Sequence, residues 1–301
     1  MRKIVITIAC TLLLAFGAIA AKNVFSCRIP IHNRGIAAAK ANGATSALFL
    51  GSSTFRSNLS VDELDSALPK GSYILAYGGN HYVAADIQYD ELKERGISTD
   101  LLVIELDPLL ITEEVKLSDS RVIWDLSWAG KRRLWQSMSQ NAPTFSLFWE
   151  YFVTSGMDDL ITYPVTEPFY ATRYHKGAKT DATASPGKDA LEAAKFDISE
   201  VQWVDAQEKA LFSLIDKCER DGQAYVLLES PHYHRLQDDV TYQKYREELL
   251  KKLDEKKIPR ILATDVDFDN HEAAYFEDMG HMSEEGRIAY TKALLPLLPK
   301  N

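Results

Sequence analysis

Ala47-Leu48-Phe49-Leu50-Gly51-Ser52-Ser53 is an unbroken apolar run closed by a glycine and two hydroxyl side chains. Four apolar residues in succession suit a strand buried on both faces, and the glycine permits the sharp turn by which such a strand gives way to a helix. Tyr73 to Ala76 repeats the pattern and stops at Gly78-Gly79, and Leu101 to Leu106 repeats it again ahead of Pro108. Ala224 to Leu228 and Arg260 to Ala263 read as two further strands. Between these runs lie stretches of helical spacing: Asp86 to Gly96, Val204 to Glu219 ending through Asp221-Gly222, and Lys244 to Lys257 ahead of Pro259. Strand and helix in alternation predict a three-layer α/β fold with a mostly parallel sheet of about five strands, covered on both faces. Ligands of such sheets gather at the carboxyl ends of the strands, so Ser53 and Gly79, each just past a strand end, are expected on one rim.

A chain of 301 residues with 46% hydrophobic and 26% charged side chains has the composition of an ordinary globular protein. We read residues 22–301 as one α/β domain carrying an insertion. The insertion covers about 111–200, too long for a loop in a compact domain, and is expected to be mainly helical. Trp124, Trp128, Trp135, Trp149 and Trp203 all lie in or just after it, and the first three share one helical face beside Lys131-Arg132-Arg133. They form either an aromatic core for the insertion, a sugar-stacking platform, or a belt at a membrane surface. His175 to Lys188 reads as a loop. The formal charge of -9 leaves no basic surplus to neutralise phosphates, which argues against nucleic acid as a partner.

Ile4 to Ala21 contains no charged side chain and follows Arg2-Lys3. As a helix it would be roughly 27 Å long, just enough to cross a bilayer core, while Ala18-Ile19-Ala20 also suits a signal cleavage site. Residues 1–21 are therefore either a signal peptide or an uncleaved anchor touching the membrane. Both place the remainder outside the cytoplasm, in the periplasm, outside the cell, or on the outer face of the cytoplasmic membrane. Cys27 and Cys218 either pair or stay as separate buried thiols.

A serine hydroxyl becomes a useful nucleophile only when a positioned base takes its proton. A turn after a buried strand exposes such a hydroxyl and aims backbone N–H groups at one point. Near the C-terminus, Asp278-Met279-Gly280-His281 puts a carboxylate three residues from an imidazole, within reach over one helical turn. Ser283 then caps a final helix running to about Leu295. Neither motif suffices alone, since strand-Gly-Ser-Ser turns are common and Asp-x-x-His also describes a surface ion pair. Two metal readings are weaker. His232-x-His234 with Glu229 would need a third ligand and favourable loop geometry to close a site, and Asp265-x-Asp267-x-Asp269 lacks both the glycine and the glutamate of a calcium loop.

Taken together, the two motifs resemble the blocks of the SGNH or GDSL-type hydrolases, which carry a nucleophile in Gly-Asp-Ser after the first strand and an Asp-x-x-His block near the C-terminus. Gly51-Ser52-Ser53 matches the first block with Ser52 in place of the aspartate, and Asp278 to His281 matches the last. With the apolar N-terminus, Tyr73 to Asn80, and Leu227-Leu228-Glu229-Ser230-Pro231-His232, the chain looks closest to a membrane-anchored subgroup. That subgroup includes the D-alanine transfer protein of teichoic-acid modification and the O-acetylation proteins of exported polysaccharides. The resemblance covers roughly Ser46 to Leu109 and Gln223 to Leu295. It implies a flavodoxin-like fold, Ser53 as nucleophile, His281 as base and Asp278 as its orienting acid. The oxyanion hole would draw on Ser53, Gly79 and the side-chain amide of Asn80. No Gly-x-Asn-Asp block follows the third strand, where Ile104-Glu105-Leu106-Asp107-Pro108 stands instead.

The resulting expectation is an exported serine esterase or O-acyltransferase that needs no metal or organic cofactor. It would act on an acylated cell-envelope or secreted polysaccharide, or on a small acyl ester, with a membrane-bound O-acyltransferase as a partner. The alternative is a non-catalytic relative that binds glycan or serves an acyltransferase assembly.

Overall fold

The computed structural model describes residues 2–28, 33–115, 120–138, 149, 153, 173–181 and 183–299. Its strands are β1 (Thr45–Gly51), β2 (Ser72–Ala76), β3 (Thr99–Glu105), β4 (Tyr174–His175), β5 (Ala178–Lys179), β6 (Tyr225–Leu228) and β7 (Arg260–Ile261). The helices begin with α1 (Arg2–Phe25), α2 (Gly35–Asn42), α3 (Ser53–Asn58), α4 (Val61–Ala67), α5 (Tyr82–Glu94), α6 (Pro108–Thr112), α7 (Ser120–Asp125) and α8 (Trp128–Met138). They continue as α9 (Lys188–Ala193), α10 (Asp205–Arg220), α11 (His234–Gln237), α12 (Val240–Lys256) and α13 (Glu284–Leu294).

Five strands form one sheet in the order β2-β1-β3-β6-β7, and every pairing in it is parallel. Setting aside the small β4–β5 hairpin, this is the 2-1-3-4-5 order of flavodoxin-like folds. The period-two alternation of strand side chains builds the three layers. Leu48, Leu50, Leu102, Ile104 and Leu227 pack on one side with residues of α2, α5 and α10. Ala47, Phe49, Leu101, Val103, Val226 and Leu228 pack on the other with α3, α4, α12 and α13. Strands buried on both faces read as continuous apolar runs, which is why they stand out in the sequence.

Three expectations need correction. First, α5 begins at Tyr82 rather than Asp86, because His81 accepts the Ala84 N–H on Nδ1 at 3.2 Å and acts as the cap. Second, α12 begins at Val240 rather than Lys244, because Asp239 Oδ1 accepts from the Thr241 and Tyr242 N–H groups at 2.8 and 3.3 Å. Third, part of His175–Lys188 is not loop. The hairpin turn lies along the free edge of β2, where the Ile74 N–H donates to the Lys176 carbonyl at 2.9 Å. A Cβ on Gly177 would lie 1.8 Å from the Ile74 carbonyl oxygen, so the close approach requires glycine. Covering an edge in this way removes a site for unwanted strand pairing.

Within the span 111–200, residues 139–148 and 154–172 lie outside the described residues. The described part shares the main core: Val122, Ile123, Leu126, Leu134 and Met138 join the cluster around Leu48 and Ile104. The shared tryptophan face is divided. Trp124 on α7 is buried, whereas Trp128 opens α8 and is 54% exposed. The break falls at Ser127, whose N–H donates to Glu91 at 2.9 Å and whose hydroxyl accepts the Gly130 N–H at 3.1 Å.

Helix α1 is apolar on every side, with Ile4, Leu13, Leu14 and Phe16 each more than 60% exposed. Its segment Lys3–Lys22 is 20 residues long and apolar enough to cross a membrane, and none of it is buried in the protein. Cys27 and Cys218 are separate buried thiols.

Candidate active site

The end of β1 is built around the absence of a side chain. A Cβ on Gly51 would lie 2.3 Å from Glu105 Oε2 and 2.9 Å from the Phe55 ring, so only glycine lets the chain pass between them. Ser52 then turns inward. Its N–H donates to Glu105 Oε2, its hydroxyl donates to Glu105 Oε1 at 3.0 Å, and its Oγ accepts the Thr54 N–H at 3.2 Å to cap α3. Ser53 follows as the first residue of α3, with its backbone N–H among those a helix leaves without an internal acceptor.

The Ser53 hydroxyl lies 2.9 Å from His281 Nε2, and His281 Nδ1 lies 2.8 Å from Asp278 Oδ2. The other oxygen of Asp278 accepts the Gly280 and His281 N–H groups at 2.8 Å each. Burial works against the charge on Asp278, but the bond and charge of His281 and the two backbone donors outweigh it and hold the carboxyl down to about 2. The residues expected from opposite ends of the chain are thus brought into one hydrogen-bonded line. Ser52, by contrast, is 5% exposed and committed to Glu105.

The helix that presents Ser53 also fixes the loop that presents His281. Asn58, the last residue of α3, donates from Nδ2 to the Gly280 carbonyl at 3.2 Å and accepts the Met282 N–H on Oδ1 at 2.9 Å. The Tyr233 N–H holds the same loop from behind, at 3.0 Å from the Met279 carbonyl.

On the β2 side, Gly51 pairs with Ala76, so the following turn lies beside the Ser52-Ser53 step. Gly79 sits there with φ +65°. Asn80 is placed differently from the expectation. Its side-chain amide donates to the Gly51 carbonyl at 2.9 Å and to Gln88 Oε1 at 3.0 Å, which engages both hydrogens. In this arrangement Asn80 locks the end of β1 and has no amide hydrogen to offer an oxyanion.

Behind the rim lies a buried polar array that sequence reasoning did not assemble. Glu105 ends β3, Asp107 caps α6, and Asp107 Oδ2 lies 3.2 Å from His232 Nε2. Glu229, just past β6, forms a two-point ion pair with Arg246 at 2.5 and 2.8 Å. His232 and Glu229 therefore face inward to these partners. Glu277, Asp278 and His281 bring one ligating atom each within 4.8 Å of one another. Both His281 nitrogens and both Asp278 oxygens are engaged in the line just described, and Glu277 pairs with Lys179 at 3.2 Å, so the atoms that could hold an ion here already have partners.

Two buried carboxyls carry a prediction about stability. Burial, reinforced by the Asp107 charge and opposed by the Ser52 donors and His232, pushes Glu105 up to about 7. Burial likewise pushes Asp125 up to about 7, against the Ile36 N–H and the charges of Arg34 and Lys131. The folded chain therefore keeps protons that the unfolded chain releases near 4.5 and 3.8. Each group's contribution is full at low pH and is lost as pH rises through about 7. The loss is roughly 3 kcal/mol for Glu105 and roughly 4 kcal/mol for Asp125. Denaturant unfolding of the full chain in detergent should show stability falling from pH 5 to pH 8, with Glu105→Gln removing roughly half of the fall. An unchanged fall in Glu105→Gln would show that Glu105 holds no such proton.

No protein-family model and no curated protein matches the sequence. Solved structures do match, among them a catalytic mutant of an acetylxylan esterase from Geobacillus stearothermophilus. That match has a TM-score of 0.41 and 13% identity, and it covers 84% of this chain and 94% of the other.

Proposed function

We propose that this chain is an exported serine esterase or O-acyltransferase of SGNH type, acting on ester-linked acyl groups of an envelope or secreted polysaccharide. The observation that carries the proposal is the line from Ser53 through His281 to Asp278, at 2.9 and 2.8 Å, on the carboxyl rim of a parallel sheet. Asp278 holds the proton on Nδ1 of His281, leaving Nε2 to accept the Ser53 proton as the oxygen attacks the acyl carbonyl. The negative charge that develops on the carbonyl oxygen is met by the Ser53 N–H at the start of α3, with the Gly79 turn beside it. His281 then returns the proton to the leaving alcohol. Water, or a sugar hydroxyl in the transferase case, resolves the acyl-Ser53 by the reverse sequence. The apolar helix α1 supports export and attachment to the outer face of the membrane.

Labelling by a fluorophosphonate tests the assignment. The full chain should be labelled, Ser53→Ala should abolish the label, and Ser52→Ala should slow labelling through loss of its bonds to Glu105 without abolishing it. Label that persists in Ser53→Ala would rule out Ser53 as nucleophile.

A further inference from the structure

Three side chains outside the catalytic line, His234, Asp238 and His271, lie close together. His234 opens α11, and Asp238 follows four residues later on the same face, the turn between them closed by the Asp238 N–H donating to the His234 carbonyl at 2.7 Å. His271 comes from a different segment and stacks on His234, with ring centroids 4.3 Å apart and planes 15° from parallel. One ligating atom from each of the three lies within 4.8 Å of the others. Among the described residues, neither the Asp238 carboxylate nor the His271 ring nitrogens have a hydrogen-bond partner. Pairing with one another therefore does not account for the cluster.

The segments that bear these groups are tied together independently of them. The His234 N–H donates to the Asn270 carbonyl at 3.0 Å, and Asn270 Nδ2 donates to the His232 carbonyl at 3.3 Å. Asp269 Oδ1 accepts the His271 N–H at 2.9 Å and fixes the turn. Glu192 of α9 supplies the outer support that metal-bound histidines commonly have. It lies 3.0 Å from His234 Nε2 and accepts the Tyr233 hydroxyl at 2.7 Å.

We propose that His234, Asp238 and His271 bind one divalent cation of the zinc class. Two imidazoles and one carboxylate select a borderline ion such as Zn²⁺ over the oxygen-seeking Ca²⁺ or Mg²⁺. Bonds of about 2.0–2.2 Å to one ion put tetrahedral ligand atoms roughly 3.5 Å apart. Reaching that from the present cluster takes a closing of the three groups and a turn of the exposed His271 ring out of its stack on His234, so that both imidazole planes meet at the ion. Three protein ligands leave the fourth position to water. The ion would clip α11 to the 269–271 turn, and so brace Tyr233, whose N–H supports the Asp278–His281 loop.

The test uses the full chain in detergent, tag removed and stripped with chelator, then dialysed against Zn²⁺ alone or Co²⁺ alone. One equivalent of Zn²⁺ should be retained, and Co²⁺ should give the strong visible absorption of a four-coordinate site. His271→Ala and His234→Ala should each weaken Zn²⁺ retention at least about tenfold, and His281→Ala should leave it unchanged. Absence of retained Zn²⁺, retention unaffected by His271→Ala, or retention lost in His281→Ala would each overturn the proposal. The last would place the ion at the catalytic line instead.

Discussion

Asp278→Asn is expected to lower kcat on a small acetyl ester roughly 10³–10⁴-fold while leaving KM and the fold nearly unchanged. The size follows from what the two oxygens of Asp278 do. Oδ1 accepts the Gly280 and His281 N–H groups, and Oδ2 faces His281 Nδ1. An asparagine must keep its one oxygen on the two backbone donors, because turning the amide would set its NH₂ against two N–H groups. Its NH₂ then faces Nδ1 of His281 and makes that nitrogen an acceptor. The ring proton moves to Nε2, which now donates to the Ser53 hydroxyl when it ought to accept from it. The substitution is isosteric, so the loss is one of proton placement. Asp278→Ala should be no more damaging than Asp278→Asn, since alanine leaves the tautomer free. Steady-state kinetics beside circular dichroism would check this, and a kcat within tenfold of the unsubstituted chain would show that Asp278 does not orient the histidine.

The parts of this site that were legible in the sequence are those governed by local pattern. The apolar run ending at Gly51 marks a buried strand because both faces of a covered parallel sheet are apolar. Asp278 and His281 show their relation because they lie three residues apart on one turn. The rest depends on which distant polar groups meet. Asn58 closes on Gly280 and Met282 across more than two hundred residues, and nothing in Arg56-Ser57-Asn58-Leu59 distinguishes it from a helix-end asparagine. Glu105 stands at the end of an apolar strand, where a charge is a visible anomaly, yet its partner at Ser52 emerges only from the β1–β3 pairing. Asn80 was legible as a residue beside the site, but its engagement with Gly51 and Gln88 was not. His232 and His234, on alternate positions past a strand end, point to different surroundings, one toward Asp107 and the other toward His271. The start of α5 is hidden because His81 is an uncommon cap, whereas Asp239 is a common one and marks the start of α12 in the sequence itself.

Removing Arg246 is expected to have the largest effect on stability. Glu229 is 1% exposed, and its carboxylate is met by the Arg246 guanidinium at 2.5 and 2.8 Å and by the Ala263 N–H at 3.0 Å. Arg246→Met fills much of the same volume but leaves a buried carboxylate with one backbone donor, which should cost about 3–5 kcal/mol. The double variant Glu229→Met with Arg246→Met should recover most of that loss, because an apolar pair of similar volume carries no uncompensated charge. Denaturant unfolding at pH 7 would measure both. A single variant within about 1 kcal/mol of the unsubstituted chain would mean that water reaches Glu229 and supplies what Arg246 does in the folded state. The position gives the pair its consequence for the site. Glu229 begins the segment through His232 and Tyr233, and Tyr233 supports the loop that carries Asp278 and His281. Partial loosening of the Arg246 variant below its unfolding midpoint should therefore appear first as lost fluorophosphonate labelling of Ser53, with circular dichroism following at higher denaturant.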